Sequence, residues 1–399
     1  MTTLAPGYAI PNSASSDLFG RFRIANPSNL FSAQFIYSKQ PLLWDESTSG
    51  AGTSTFDSNN SCISLAVGTA SGDRVIRQTK EYFAYEPDRA QQAVFTGVFG
   101  TAKANCKQLI GIGDDNNGAF IQLNGTTFGV VERTNTSGSP VDTTVTQTNF
   151  NIDKLDGVGP STMTLDVTKA QIFFIEYQWL GVGSVRYGIY YDGKINYFHY
   201  TNHANLVSKV YMKRGSLPLR YEIVNTALTS GATTLTQICS SLQSEAGYSP
   251  TGISFAQDTG ESARNIIGAG DSLPLLSIRL KSATNRATII PKTFSVITDG
   301  GNDFRYQTIL NGALTDESFT SVNSNSVAEY DISATALTGG TVLNASYVNS
   351  SVRGVNFDIG SLLKVVANIA GVADILTLYV TNISANINYW GSFEWEEYE

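Results

Sequence analysis

Apolar and polar residues alternate in short runs, and turn residues break these runs at close intervals. This feature restricts the possible folds of the chain more than any other. The clearest run, residues 171–180, reads QIFFIEYQWL. With a period of two, one face of this run carries Phe173, Ile175, Tyr177 and Trp179. A helix would instead repeat its apolar residues every three or four positions. The run therefore predicts a β-strand with one side facing a core.

A tight hairpin follows this strand in the sequence. Residues 184–191 and 194–201 both alternate and are rich in aromatic side chains, and Asp192-Gly193 separates them. Asp-Gly between two such runs favours a type I′ turn, because both central residues of that turn need positive φ. The three runs together predict consecutive antiparallel strands.

Further runs of this kind recur about every ten residues, a spacing typical of β-sandwiches. One segment is ambiguous. Thr234–Gln237 could open a helix as a capping box, and a helical stripe is formed by Leu235, Ile238, Cys239 and Leu242, but the same residues also alternate as a strand. The sequence as a whole predicts an all-β fold, an antiparallel β-sandwich of jelly-roll or lectin-like type followed by a second β-sandwich.

The charge distribution indicates where the domains meet. Residues 1–250 hold 18 Lys and Arg against 19 Asp and Glu, a net charge of −1, whereas residues 251–399 hold 8 against 15, a net charge of −7. The opening residues are polar, with few apolar side chains. We therefore predict an extended N-terminal arm over residues 1–28, a β-sandwich domain over 29–258 and an acidic β domain over 259–399.

The composition argues against several functional classes. The formal net charge of −8 disfavours a nucleic-acid-binding protein, because phosphates are held chiefly by clustered Lys and Arg. Three widely spaced cysteines support neither a disulfide framework nor a CxxC metal site. The most apolar stretch, residues 362–380, contains Lys364, Asn368 and Asp374 and does not resemble a membrane span. We expect a soluble protein with no membrane insertion and no bound nucleic acid.

Two motifs have the side chains of a metal site. His199 and His203 are four residues apart, in or just after a strand, but two ligands do not make a site, and packing among aromatic residues is the expected role. The loop at residues 111–118 is a weak cation candidate through Asp114, Asp115 and Asn117, whose oxygens suit calcium. A turn built from Asp, Asn and Gly is the favoured interpretation. No metal or cofactor is predicted.

Catalytic motifs are absent from the predicted strands. A glycosidase needs two nearby carboxylates, and the best strand carries only Glu176. Aromatic and acidic residues alternate over residues 389–399, which fits an edge strand with one buried and one solvated face. Glu394, Glu396 and Glu397 cluster there, and a solvated acidic segment is expected. No enzyme is predicted, and no catalytic residue is assigned. Exposed Tyr and Trp side chains could form a platform for sugars, although most of the aromatic residues must belong to cores.

Several stretches of the sequence resemble a group of structural proteins from the virions of tailed bacteriophages. The likeness covers about residues 20–255. The stretches are Arg21–Phe31, Ile36–Glu46, Val75–Lys80, Asp153–Gly157, Phe173–Tyr187 and Leu217–Glu222.

This resemblance implies a non-enzymatic particle component, either associated with the tail or an appendage or decorating the head. We expect a symmetric homo-oligomer that contacts other virion proteins, is assembled in the host cytoplasm and resides in the virion. The alternative is a lectin-like host-adsorption module. Such a module would bind host surface glycan at one end of a sandwich through exposed aromatic and Asp or Asn side chains.

Overall fold

The computed structural model describes residues 15–24, 26–245, 247–300, 303–349, 351, 354–358, 364–383 and 386–398. The chain is all-β and divides into two units, Met1–Pro250 and Thr251–Glu399. The sequence placed this boundary later, after residue 258. The strand Ile253–Asp258 pairs with Ser392–Glu397 and so belongs to the second unit. The predicted arm lies partly outside the described residues.

The first unit is built from two antiparallel sheets. Its strands are β1 (Ser28–Gln34), β2 (Trp44–Ser49), β3 (Thr53–Asp57), β4 (Cys62–Val67), β5 (Arg74–Thr79), β6 (Gln91–Val98), β7 (Cys106–Gly113), β8 (Gly118–Asn124), β9 (Thr127–Thr134), β10 (Val141–Thr146), β11 (Gln171–Tyr177), β12 (Ser184–Tyr191), β13 (Lys194–Asn202), β14 (Leu219–Asn225) and β15 (Thr233–Ser244). The first sheet has the order β13-β12-β11-β6-β15-β4-β3, with β1 also paired to β15. The second has the order β10-β9-β8-β7-β14-β5-β2.

Aromatic residues from both sheets meet in the core of this unit. Phe173, Ile175 and Tyr177 are buried on the inner face of β11, as the alternation predicted. Phe95 of the first sheet contacts Tyr221 of the second edge to face, with ring centroids 5.8 Å apart. Burying a large apolar side chain contributes roughly 1.5–3 kcal/mol, so this shared layer holds the two sheets together.

The predicted hairpin is confirmed. Asp192 and Gly193 both have positive φ, 51° and 76°, as a type I′ turn requires. The ambiguous segment is a strand, β15. A bulge between Gln237 and Cys239 shifts its register, so Leu235 and Leu242 both face the core although they are seven residues apart. This spacing explains why the same residues also fit a helical stripe.

The second unit is also a pair of antiparallel sheets. Its strands are β16 (Ile253–Asp258), β17 (Arg264–Ile266), β18 (Ser272–Leu280), β19 (Thr288–Thr298), β20 (Phe304–Leu310), β21 (Ala313–Thr315), β22 (Thr320–Ser321), β23 (Ala328–Asp331), β24 (Ala336–Thr338), β25 (Thr341–Val348), β26 (Gly354–Asp358), β27 (Ile375–Asn382) and β28 (Ile387–Tyr398). One sheet has the order β16-β28-β19-β26, with β17 also on β28, and the other β22-β23-β18-β27-β20-β25. Strands β21 and β24 pair separately.

Strand β28 corrects an expectation about the acidic C-terminal segment. Its aromatic residues alternate as predicted, with Tyr389, Phe393 and Trp395 pointing into the core. It is not an edge strand, however, because β19 pairs along one side and β16 and β17 along the other. Nor is Glu397 solvated. It is buried and accepts hydrogen bonds from Ser326 Oγ, the Val327 backbone N–H and Trp395 Nε1.

Helical structure in the described residues is limited to two 3-10 turns, Gln147–Asn149 and Ser282–Thr284. Within the same residues, no helix has the length and hydropathy needed to cross a membrane. The three cysteines are free thiols, with Cys62 and Cys106 buried and Cys239 exposed.

Candidate ligand site on the second unit

In the second unit, the edge of the sheet that contains β28 is interrupted, and the gap creates an open cavity. Strand β16 pairs with the second half of β28, and β17 pairs with its first three residues. Between these two pairings, residues 259–263 leave the sheet opposite Trp390 and Gly391. Thr259 stays attached, because its backbone N–H donates to Gly391 O at 3.0 Å and its Oγ1 accepts from Gly391 N at 3.2 Å. The loop therefore forms a fixed wall beside the sheet.

The indole of Trp390 lies on the outer face of this sheet. Alternation along β28 decides this orientation, because Tyr389 points into the core and successive side chains of a strand point to opposite faces. The half-buried ring is held in place by its Nε1, which donates to Glu261 O at 3.1 Å. Ile297, the register partner of Trp390 on β19, is 51% exposed beside it. The result is an apolar platform made of a half-buried indole and an exposed isoleucine.

Oxygen atoms surround this platform. Asp258, Glu261, Ser295 and Ser392 line the same cavity of about 410 Å³. The two serine hydroxyls are 2.7 Å apart, and Asp258 Oδ1 accepts from the Gly260 backbone N–H at 2.8 Å. The Glu261 carboxylate and Asp258 Oδ2 have no hydrogen-bond partner among the residues that the structure describes. They are therefore acceptors available to a ligand.

This arrangement suits a ligand with one apolar face and several hydroxyl groups. Aromatic rings pack well against apolar surfaces, and small-molecule sites combine such surfaces with a few well-placed polar groups in cavities of roughly 300–1,000 Å³. Sequence reasoning did not single out Trp390. The sequence does contain a signal for it. In the alternating segment 389–398, Trp390 lies on the polar face, where a solvated residue is expected.

The weak cation candidates form a turn. Asp114 Oδ1 accepts from the backbone N–H groups of Asn116 and Asn117, at 2.7 and 2.8 Å, and Asn117 Oδ1 accepts from Lys213 N at 3.0 Å. Asp115 forms ion pairs with two arginines, at 2.8 Å to Arg74 and 2.6 Å to Arg220.

The two arginines also affect the protonation of Asp115. Burial would raise the pKa of Asp115, but Arg220 and Arg74 outweigh it and hold this pKa below its ordinary value. Across the described residues, no three His, Cys, Asp or Glu side chains come together as metal ligands would. The side-chain oxygens of Asp114, Asp115 and Asn117 are engaged mainly by the protein's own donors.

The two histidines lie in aromatic surroundings. His203 stacks on Tyr211 with ring centroids 4.0 Å apart, and its Nδ1 and Nε2 are each 2.8 Å from an acceptor, Gly183 O and Glu132 Oε2. Two acceptors require both ring nitrogens to carry protons. Accordingly, although burial lowers the pKa of His203, Glu132 raises it above its usual range. His199 packs against Phe150, and burial lowers its pKa.

Glu176 does have a carboxylate neighbour, which a single strand could not reveal. Arg23 Nη2 donates to Glu176 Oε2 at 2.6 Å and also to Glu245 Oε1, on the outer side of the first sheet. Arg186 Nη2 donates to both oxygens of Glu176 at 2.8 Å, and Tyr197 Oη donates at 2.8 Å. Both carboxylates are buried, and Glu245 lines a cavity of only about 80 Å³. We infer that this pair has a structural role.

Comparison with known proteins gives a limited result. No protein-family model matches the chain, and no curated protein matches it. Among solved structures, the carbohydrate recognition domain of Emp47p has a TM-score of 0.36 at 11% identity, over 54% of this chain and 96% of that one. Protein SO2946 of unknown function from Shewanella oneidensis MR-1 has a TM-score of 0.38 at 8% identity, and the match covers 56% of this chain and 91% of that one. A β-glucanase from Bacillus licheniformis has a TM-score of 0.34 at 9% identity, and the match covers 55% of this chain and 99% of that one.

Proposed function

We propose that the chain binds neutral glycan through the Trp390 cavity of its second unit. One observation carries this proposal: the half-buried indole of Trp390, held by its own Nε1, lines an open cavity together with Asp258 and Glu261, whose carboxylates keep unpaired oxygens. A pyranose ring would place its apolar face on the indole and donate hydroxyl protons to these oxygens. The proposal assigns binding and no turnover.

The charge of the unit restricts the class of glycan. Residues 251–399 have a net charge of −7, and two carboxylates line the cavity. Acidic sugars would face like charge there, which disfavours them. Neutral hexoses and amino sugars are the ligand class that this cavity fits.

Binding of the whole chain to an array of neutral and sialylated glycans tests the proposal, followed by titration of the best neutral ligand. We expect Trp390→Ala to weaken binding about tenfold or more, a loss of ~1.4 kcal/mol, because the stacking surface is removed. Asp258→Asn and Glu261→Gln should weaken binding less, because an amide oxygen still accepts a hydroxyl proton. The matched control is Tyr347→Ala, which removes an exposed aromatic residue elsewhere on the same unit.

Two results would contradict the proposal. One is an array on which no neutral glycan binds above background. The other is a neutral ligand whose affinity is the same for wild type and Trp390→Ala. Circular dichroism of each variant shows whether the sheet has stayed folded.

We also propose that the chain is a subunit of a larger assembly, in keeping with the phage virion proteins that parts of its sequence resemble. The supporting observation is the number of large apolar side chains that the first unit leaves largely exposed: Phe22, Ile24, Tyr37, Val158, Leu206 and Leu228. Where such side chains adjoin, exposed apolar surface commonly marks contacts with other proteins. A host-adsorption protein that binds glycan is itself part of a particle, so the two proposals are compatible.

A further inference from the structure

One end of the first unit presents a compact group of aliphatic side chains to solvent. We call it the apolar tip and define it by residues 180–182 and 206–210. Leu206 is 73% exposed, and the other large apolar residues of the tip are also exposed: Leu180, Val182, Val207 and Val210. Isolated apolar residues are common on protein surfaces, but these five lie on two loops that adjoin where a Cβ on Gly181 would be 2.9 Å from Val210 Cγ1, which makes the tip a candidate for contact.

The tip is held in place from below. The backbone N–H of Tyr211 donates to Gly181 O at 2.8 Å and joins the two loops. Leu206 and Val207 donate their backbone N–H groups to His203 O at 3.0 and 3.2 Å. Because buried residues fix both loops, the aliphatic side chains stay on the outside when the unit is folded.

Backbone strain at Leu180 also indicates that the structure holds the tip in this conformation. Leu180 has a φ of 35°, in the left-handed region that residues other than glycine rarely adopt. Such a conformation costs of order 1–3 kcal/mol and persists where the surrounding structure imposes it, commonly at functional sites. Here the strained residue presents an exposed leucine side chain, which would otherwise be an unfavourable arrangement.

Positive charge borders the tip. Asp192, in the hairpin turn, is the one acidic residue in the sequence from 179 to 216, and Glu132, which approaches this segment from β9, faces His203 at 2.8 Å. Lys209 and Lys213 are exposed, and neither forms an ion pair with any residue that the structure describes. Arg214 lies near Asp114, at 3.5 Å. The tip is thus apolar with a cationic border, on a chain whose formal net charge is −8.

The second unit carries the complementary charge. It has 15 acidic residues against 8 basic ones. Among its described residues, ion pairs form between Arg279 and Glu329 and between Lys292 and Glu396. An anionic lipid surface would also attract the two lysines, but it would repel the rest of an acidic chain. The acidic unit of another copy matches the border of the tip without that opposing effect.

We propose that the apolar tip of one copy docks on the acidic second unit of another copy. This deepens the proposal that the chain is a subunit of an assembly and rests on it. The contact joins two different surfaces, so it is heterologous and generates either a closed ring or an open filament. Burial of the aliphatic residues against exposed apolar side chains of that unit, such as Ile267 and Val372, supplies the driving force, and the lysines select the acidic surroundings.

Sedimentation velocity of the full chain over a concentration series tests this contact. Leu206→Asp and the double variant Lys209→Glu/Lys213→Glu should each raise the dissociation constant at least tenfold. Two matched controls alter exposed residues outside the tip, Val141→Asp and Lys154→Glu/Lys169→Glu, and should leave the dissociation constant unchanged. Added salt should weaken assembly of the wild type, because it screens the lysines.

Each contrary outcome has a distinct meaning. A wild-type chain that stays monomeric overturns both the assembly and the docking contact. A wild-type oligomer that both tip variants retain overturns the docking contact alone. If the tip variants instead lose binding to vesicles containing anionic lipid, with self-association unchanged, the partner is a lipid surface and the contact is wrong. Glycan binding through Trp390 is measured separately and is not decided by these results.

Discussion

Glu176 and Glu245 share one arginine, Arg23, and their environments drive their protonation in opposite directions. Burial would raise the pKa of Glu176, but Arg186 and Arg23 outweigh it and keep this carboxylate ionised. Burial and the charge of Glu176 raise the pKa of Glu245 to about 9. Two buried carboxylates that share one arginine repel each other when both are ionised. A proton on Glu245 therefore stabilises the pair.

Glu245 should therefore make stability depend on pH. Its ordinary pKa is 4.5 and its folded value is about 9, so folding takes up a proton between these values. This contribution is complete below pH 4.5 and is lost as pH rises through 9, with a slope of at most ~1.4 kcal/mol per pH unit. Glu245→Gln cannot ionise, and we expect its free energy of unfolding to fall less than that of wild type between pH 5 and 8, measured with urea.

The partner carboxylate serves as the control for this prediction. Glu176→Gln leaves Arg186 without its buried counter-charge, and removing one partner of a buried ion pair costs roughly 3–5 kcal/mol. This variant should be strongly destabilised at every pH. Wild type and Glu245→Gln with parallel pH profiles would show that Glu245 is ionised in the folded chain.

At the scale of single strands, the sequence was informative because alternation is local. It predicted β11, the hairpin of β12 and β13 and the alternation along β28, since each depends on residues within about ten positions. It did not predict that β28 is an interior strand, because its neighbour β19 lies about a hundred residues earlier and the pairing is non-local. The Trp390 cavity was hidden for the same reason: it exists only where β16 and β17 leave a gap along β28.

Close pairing between β7 and β8 depends on a glycine. A Cβ at Gly111 would meet the backbone oxygen of Ala119 and lie 2.7 Å from the Cα of Phe120. Backbone atoms cannot move aside as a side chain can. Gly111→Ala should therefore lower the free energy of unfolding by about 1–3 kcal/mol, the usual cost of overpacking, as measured by urea denaturation.

Gly231 provides the matched comparison. The nearest atom to a Cβ there is Lys103 Nζ at 3.3 Å, the far end of a flexible side chain. Gly231→Ala should leave stability within about 0.5 kcal/mol of wild type, as is usual for surface substitutions. Equal effects of the two substitutions would mean that β7 and β8 can separate to admit a methyl group.

On the scale of the whole molecule, the chain has two separate cores and an uneven charge. The first core contains Phe95 and Tyr221, and the second contains Leu276, Phe294 and Trp395. The charge asymmetry indicated two parts from sequence alone, because net charge sums over residues without reference to the fold. The charge shift lies near residue 250, where the two units divide, whereas the place of Ile253–Asp258 depended on its pairing with β28, which composition does not record.

Each core should respond to its own cavity. Leu276 is fully buried in the second core, and Leu276→Ala removes its contacts at a cost of about 2–5 kcal/mol. We expect amide hydrogen exchange, followed by mass spectrometry, to accelerate in the strands of the second unit. Protection in β6, β11 and β14 should stay at the wild-type level.

The reciprocal variant is Leu235→Ala, which makes the same truncation in the first core and should accelerate exchange there. If either variant accelerated exchange equally in both units, the two cores would unfold as one cooperative structure, and the division at residue 250 would have no energetic meaning.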